Sequence, residues 1–152
     1  MEGYTHLVKG LDPIADAFAG TVYSDVISLK AHEEIEFVIY KGVGTTGTST
    51  VTVESCDDTT PSTSTAIVFR YQAITSGDTH GAMTAATTAG FTTTAGSSQL
   101  YKIVVKASDL SSDDGYVRLK MVEVANDPVL GGVLAILRKP RYDDAVQATA
   151  IV

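Results

Sequence analysis

The chain has 152 residues, with 11 Lys and Arg against 18 Asp and Glu, for a formal net charge of −7. That length suits one domain, and a hydrophobic fraction of 44% argues against disorder along most of the chain. The acidic balance argues against nucleic acid as a partner, because a phosphate-binding surface needs clustered Lys and Arg. Cys56 stands alone, so no intrachain disulfide forms, and the carboxylates of Asp57 and Asp58 beside it disfavour its thiolate. The start, Met1-Glu2-Gly3-Tyr4, lacks a basic region followed by an apolar run, and no apolar stretch is long enough to span a bilayer. The expected product is soluble, made in a cytoplasm and without a membrane partner.

In chain order, residues 1–20 read as an N-terminal arm. They hold Gly3, Gly10, Gly20 and Pro13 around the short apolar run Ile14-Ala15-Asp16-Ala17-Phe18-Ala19. One and a half helical turns are expected after Asp12, with Pro13 at the first helical position. Such an arm packs on its own sheet or on a neighbour, and Ile14 and Phe18 are its candidate contacts.

From residue 21 to residue 152 the hydrophobic period is close to two, the signature of one all-β domain. Candidate strands cover 21–29, 34–41, 50–56, 66–74, 100–107, 116–124 and 132–138, with a last extended piece at 147–152. In the strand from 116, Val117, Leu119 and Met121 share a face, and then the phase flips to Val122 and Val124. A one-residue flip is what a β-bulge produces, so a bulge is expected near Met121-Val122. In the strand from 132, Leu134 and Ile136 are apolar like their alternates Val133, Ala135 and Leu137. Both faces of that strand should therefore be covered, one by a second sheet and one by an arm or another subunit. Breaker-rich joints at 59–64, 75–78, 111–115 and 126–128, with no helical stripe between them, indicate an antiparallel β-sandwich or barrel. The expected form is jelly-roll-like, with seven to eight strands, an N-terminal arm and long Thr/Gly-rich loops.

Two loops stand out. Gly42-Val43-Gly44-Thr45-Thr46-Gly47 spells G-x-G-x-x-G, the letter pattern of a dinucleotide-binding turn. That chemistry needs a helix N-terminus after the last glycine, where free backbone N–H groups hold the pyrophosphate. Thr48-Ser49-Thr50-Val51-Thr52-Val53 follows instead, β-branched and alternating, so the loop reads as a hairpin connection and no cofactor is expected. The second, residues 81–98, is a run of Thr, Ala and Gly with little area to bury. It is either a flexible surface loop or a contact loop that anchors Met83 or Phe91 on a partner.

No constellation for catalysis emerges. His6, His32 and His80 are far apart in sequence and outside any metal-ligand spacing, and they read as solvated loop residues. The acid pairs Asp57-Asp58, Asp113-Asp114 and Asp143-Asp144 do not follow a calcium-loop pattern, and Asp114-Gly115 reads as a hairpin turn. There is no nucleophile elbow and no Trp for a sugar-stacking platform. The expectation is a protein that is not an enzyme and has no metal or cofactor.

Four stretches carry a resemblance: residues 38–58 (V-I-Y-K-G-V-G-T-T-G-T-S-T-V-T-V-E-S-C-D-D), 67–79 (I-V-F-R-Y-Q-A-I-T-S-G-D-T), 114–124 (D-G-Y-V-R-L-K-M-V-E-V) and 128–142 (P-V-L-G-G-V-L-A-I-L-R-K-P-R-Y). The chain resembles virion structural proteins of tailed bacteriophages, of the small capsid decoration or cement type. The resemblance implies a component bound to the outer face of an icosahedral head, made in the host cytoplasm and located on the virion. Its implied partners are the major capsid protein and copies of itself, as a homo-oligomer on the shell. It implies no catalytic residues. Candidate contact residues are Ile14, Phe18, Met83, Phe91, Leu134, Ile136 and the C-terminal Ile151 and Val152. Two alternatives compete: a tail-tube, neck or fibre-base component, and a small cell-surface or carbohydrate-binding β-module for which Tyr71 and Phe91 would matter.

Overall fold

The computed structural model of the chain describes residues 5–142 and 149–151. Among these residues the chain builds twelve strands: β1 (His6–Ile14), β2 (Thr21–Tyr23), β3 (Ile27–Ser28), β4 (His32–Lys41), β5 (Thr48–Cys56), β6 (Ser64–Ile67), β7 (Phe69–Ile74), β8 (Thr84–Ala86), β9 (Phe91–Thr92), β10 (Gln99–Lys106), β11 (Tyr116–Ala125) and β12 (Gly131–Pro140). A single 3-10 turn, Ala107–Asp109, follows β10, and no α-helix occurs among the described residues.

All pairings are antiparallel and form two sheets. The first runs β1-β12-β4-β10-β7-β8; the second runs β2-β11-β5-β6, with β3 also on β11 and β9 also on β5. The pairings are nested: β1 with β12, β2 and β3 with β11, β4 with β10, and β5 with β6. This is the order produced by rolling one long antiparallel ribbon into two facing sheets, a jelly roll. The expected all-β, jelly-roll-like sandwich is therefore what the chain forms.

The core lies between the sheets. Ile35, Phe37 and Ile39 of β4, Tyr101, Ile103 and Val105 of β10, and Val133, Ala135 and Leu137 of β12 point inward from the first sheet. They meet Val51 and Val53 of β5 and Val117, Leu119 and Met121 of β11. Period-two alternation puts each of these sets on one face, and burying a large aliphatic side chain contributes about 1.5–3 kcal/mol.

Several expectations give way to a different local geometry. The helical turn expected after Asp12 is absent. Residues 6–14 form β1 on the edge of the first sheet, with two register shifts against β12, between Lys9 and Leu11 and between Leu11 and Ile14. The expected strand 21–29 breaks into β2 and β3 at Ser24. There the Leu119 N–H donates to the Ser24 hydroxyl (2.9 Å), so a side chain takes the place of a strand carbonyl. The expected strand 66–74 is split at the exposed Val68, where the chain passes from the second sheet to the first. These splits, with β1, β8 and β9, raise the strand number from the expected seven or eight to twelve. The expected bulge comes two residues late: Met121 and Val122 pair regularly with Val51 and Thr50, and the register shifts between Glu123 and Ala125.

The loop at 42–47 is not a hairpin, because β4 and β5 lie in different sheets. Asp114-Gly115 is not a hairpin turn either; it belongs to the connection from β10 to β11, which also crosses between sheets. The run 81–98 crosses the sandwich, adding β8 to one sheet and β9 to the other. Gly90 (φ 76°) makes that crossing possible, since a Cβ there would lie 2.0 Å from the Val51 carbonyl oxygen. His32 is a strand residue and is buried, with its ring set edge-on to His6 at 6.0 Å between centroids. Half of the expected extended piece at 147–152 (147, 148 and 152) lies outside the described residues. Within it, the Ala150 carbonyl accepts a hydrogen bond from the Ser28 N–H (2.8 Å).

Candidate functional site

The glycine loop closes around Asp127. Asp127 Oδ2 accepts hydrogen bonds from Thr45 Oγ1 (2.6 Å), Thr46 N (3.0 Å) and Thr45 N (3.3 Å). These bonds hold the Asp127 carboxyl down at about 2, against an ordinary value of 3.8. The loop does present N–H groups to an anion, and the anion is the chain's own carboxylate. Its last glycine answers to close packing: a Cβ on Gly47 would sit 2.2 Å from the Asp127 carbonyl oxygen. Beneath the loop, the buried Lys41 Nζ donates to the carbonyls of Thr94 (2.6 Å) and Gly47 (2.9 Å). Burial pushes the Lys41 ammonium below its ordinary pKa, and the Asp127 charge works the other way. The Tyr101 hydroxyl extends this network, donating to Gln99 Oε1 (2.9 Å) and accepting from the Thr94 N–H (2.8 Å). The whole arrangement is a structural knot.

Cys56 is similarly inert. Burial is the first cause that pushes its thiol up to about 11; Arg118 opposes the shift, and Glu54, Asp114 and Asp57 add to it. Among the described residues, no group of three or more His, Cys, Asp and Glu is placed to hold a metal ion.

The outward faces of the two sheets differ. On the second sheet, Glu54 accepts from Arg118 (2.8 Å) and faces Lys120 (3.7 Å), Arg118 stacks on the Tyr23 ring (4.2 Å), and Thr50 bonds Thr92 (3.0 Å). On the first sheet, register sets Leu134 beside Val38, and Tyr40 beside Leu100 and Gly132. With Leu11, Pro13 and Leu130 these residues line an open groove of about 520 Å³. Tyr40 is 58% exposed and Leu134 42% exposed. Towards the other end of the face the residues become charged. Glu36, a buried carboxylate, pairs with Arg138 (2.9 Å) and Lys102 (3.3 Å), while Lys139 reaches Glu34 (3.0 Å). Lys106 and Arg70 also project outward on this face, and Lys9 pairs with Asp12 (3.3 Å) at the groove rim.

The structure distributes the expected contact residues unevenly. Leu134 lines the groove, and Ile136 follows it outward on β12, half-buried beside Glu36 and Leu7. Ile14 ends β1 and is 40% exposed; Met83 is 37% exposed. Phe18 is instead a core residue. Phe91 is buried too, stacked on the Tyr71 ring at 3.9 Å with the planes nearly parallel, so the threonine-rich run does not present it outward. Ile151 is half-buried against the core, and Val152 lies outside the described residues. Sequence reasoning missed Val38, Tyr40, Leu100 and Leu130. The available signal was parity: Val38 and Tyr40 alternate with core residues in their strand, and they are apolar on a face where Glu34 and Glu36 are charged.

Fold and surface together define a jelly-roll β-sandwich whose second-sheet outer face is mainly ion-paired and threonine-rich, with Val122, Val124 and Tyr23 exposed at single positions, and whose first-sheet outer face gathers an apolar groove at one end. No protein-family model matches the chain, and no curated protein matches it. Among solved structures it is similar to the SPBc2 prophage-derived protein YomS, with a TM-score of 0.52 and 11% sequence identity over 91% of this chain and 96% of that one. At that identity the likeness is one of fold.

Proposed function

We propose that this chain is a tailed-phage virion structural protein, a decoration protein that binds the outer face of the icosahedral head and stabilises it without catalysing a reaction. The observation that carries the proposal is the asymmetry of the two outer sheet faces. A protein that coats a shell needs one face able to bury apolar surface and another that stays hydrated. The groove lined by Val38, Tyr40, Leu100 and Leu134 provides the first, and the ion-paired, threonine-rich face of β5 and β11 provides the second. A fold shared with a prophage-derived protein agrees with this reading, as does the sequence resemblance to small head proteins. The partners would be the major capsid protein beneath and further copies of this chain alongside. A sugar-binding module has less support, because the Tyr71 ring is already stacked on Phe91.

Co-sedimentation of the purified chain with empty expanded shells assembled from the cognate capsid protein tests the proposal. Saturation at a fixed ratio to capsid subunits is expected. Absence of binding, or assembly of the chain alone into rings or tubes, would overturn it and favour a tail or neck component.

A further inference from the structure

We propose that the groove on the first sheet takes an acidic segment that inserts apolar side chains, and that this segment belongs to the capsid protein. Charge distribution selects this occupant. The chain carries −7 overall, yet by strand alternation the outward side chains of the first sheet, with Asp12 at the rim, include five of its 11 Lys and Arg (Lys9, Arg70, Lys102, Lys106 and Arg138) and only three of its 18 Asp and Glu, while Lys139 and Glu33 at the sheet's end offset each other. That face is net positive by two, and the remainder of the sequence carries −9. A second copy meeting this face with the same face would oppose like charges, which disfavours a face-to-face pair of copies. An acidic partner gains from the field, and its apolar side chains gain from the groove.

The local geometry supports the same occupant. The Glu36 charge is already offset by ion pairs with Lys102 and Arg138, so a partner's carboxylate meets cations around a neutralised centre. Lys9 stands at the rim, and Lys102 is paired across from the groove residue Val38. Apolar side chains of the segment would lie between Tyr40, Leu100 and Leu134, with its carboxylates directed to those two lysines.

The inference rests on the decoration reading only for the identity of the protein that carries the segment, and two measurements separate the two ideas. The first is an NMR titration of the isotope-labelled chain with the peptide EDLFPLDE and with its basic counterpart KKLFPLKK. Shift changes are expected to cluster at Tyr40, Leu100 and Leu134 with the acidic peptide alone. The binding should weaken about tenfold between low and high salt. Equal response to both peptides, or changes centred on β5 and β11, would overturn the proposal. The second is shell binding by Leu134→Asp and by the double variant Lys9→Glu, Lys102→Gln, each confirmed as folded from its NMR spectrum. Each is expected to weaken binding about tenfold or more. Shell binding unchanged in both variants would refute the groove while leaving the decoration reading intact. Peptide binding at the groove without any shell binding would do the reverse.

Discussion

At the scale of single residues, the G-x-G-x-x-G letters are explained by packing. Gly47 is a glycine because the chain segment at Asp127 passes where a Cβ would be. Gly47→Ala is expected to destabilise the fold by about 1–3 kcal/mol, the usual cost of forcing extra volume into a packed site, read as a lower urea midpoint. Asp127 gives a pH-dependent companion. Its folded pKa, about 2, lies below the ordinary 3.8, so the stability it contributes is fully present above 3.8 and is lost as pH falls towards 2. The wild-type chain should therefore be more stable than Asp127→Asn at neutral pH, and the gap should close between those two values. A gap that stays constant down to pH 2 would show that the charge on Asp127 does not matter. Neither residue needs a cofactor to account for it.

At the scale of elements, the two faces of β12 make a sharp contrast. Leu137 is buried in the core and Leu134 lies in the open groove. Leu137→Ala should cost about 2–5 kcal/mol in stability, whereas Leu134→Ala should stay within about 0.5–1 kcal/mol. Thermal unfolding of the two variants checks this directly, and equal losses would mean that the groove is part of the core. Much of this element structure was legible in the sequence. Alternation alone placed β4, β5, β10, β11 and β12, because each buries one face in the same core. The breaks were not legible. Ile67 and Phe69 keep the period of two across Val68 although the chain changes sheets there, so periodicity carries no mark of the crossing. Edge strand β1 was hidden by its bulges and Pro13, which break the alternation that a regular strand shows. Glycine-rich and Asp-Gly joints look alike whether they turn a strand back within its sheet or pass it to the opposite one. In this chain the loop at 42–47 and the one through Asp114-Gly115 do the second. One groove residue, Leu134, was legible through the doubly apolar β12. The rest depended on which strands became neighbours, information that only the nested pairing supplies.

At the scale of the whole molecule, rolling one ribbon into two sheets leaves two outer faces whose chemistry the core does not dictate. One is mainly ion-paired and threonine-rich, with Val122 and Val124 exposed singly; the other gathers an apolar groove and an excess of positive charge in an otherwise acidic protein. That polarity is the basis for proposing attachment to a shell, since a decorating protein must adhere on one side and remain soluble on the other. A stable attachment buries on the order of 1,600 Å² in total, so the groove would be the centre of a larger contact completed by its charged surroundings. The measurement that tests this account most directly is an electron cryomicroscopy reconstruction of cognate expanded shells incubated with the purified chain. The account predicts ordered density on the outer surface, with β1, β12, β4 and β10 facing the shell and β5 and β11 facing solvent. Bare shells, or bound copies with the face of β5 and β11 against the capsid, would contradict it.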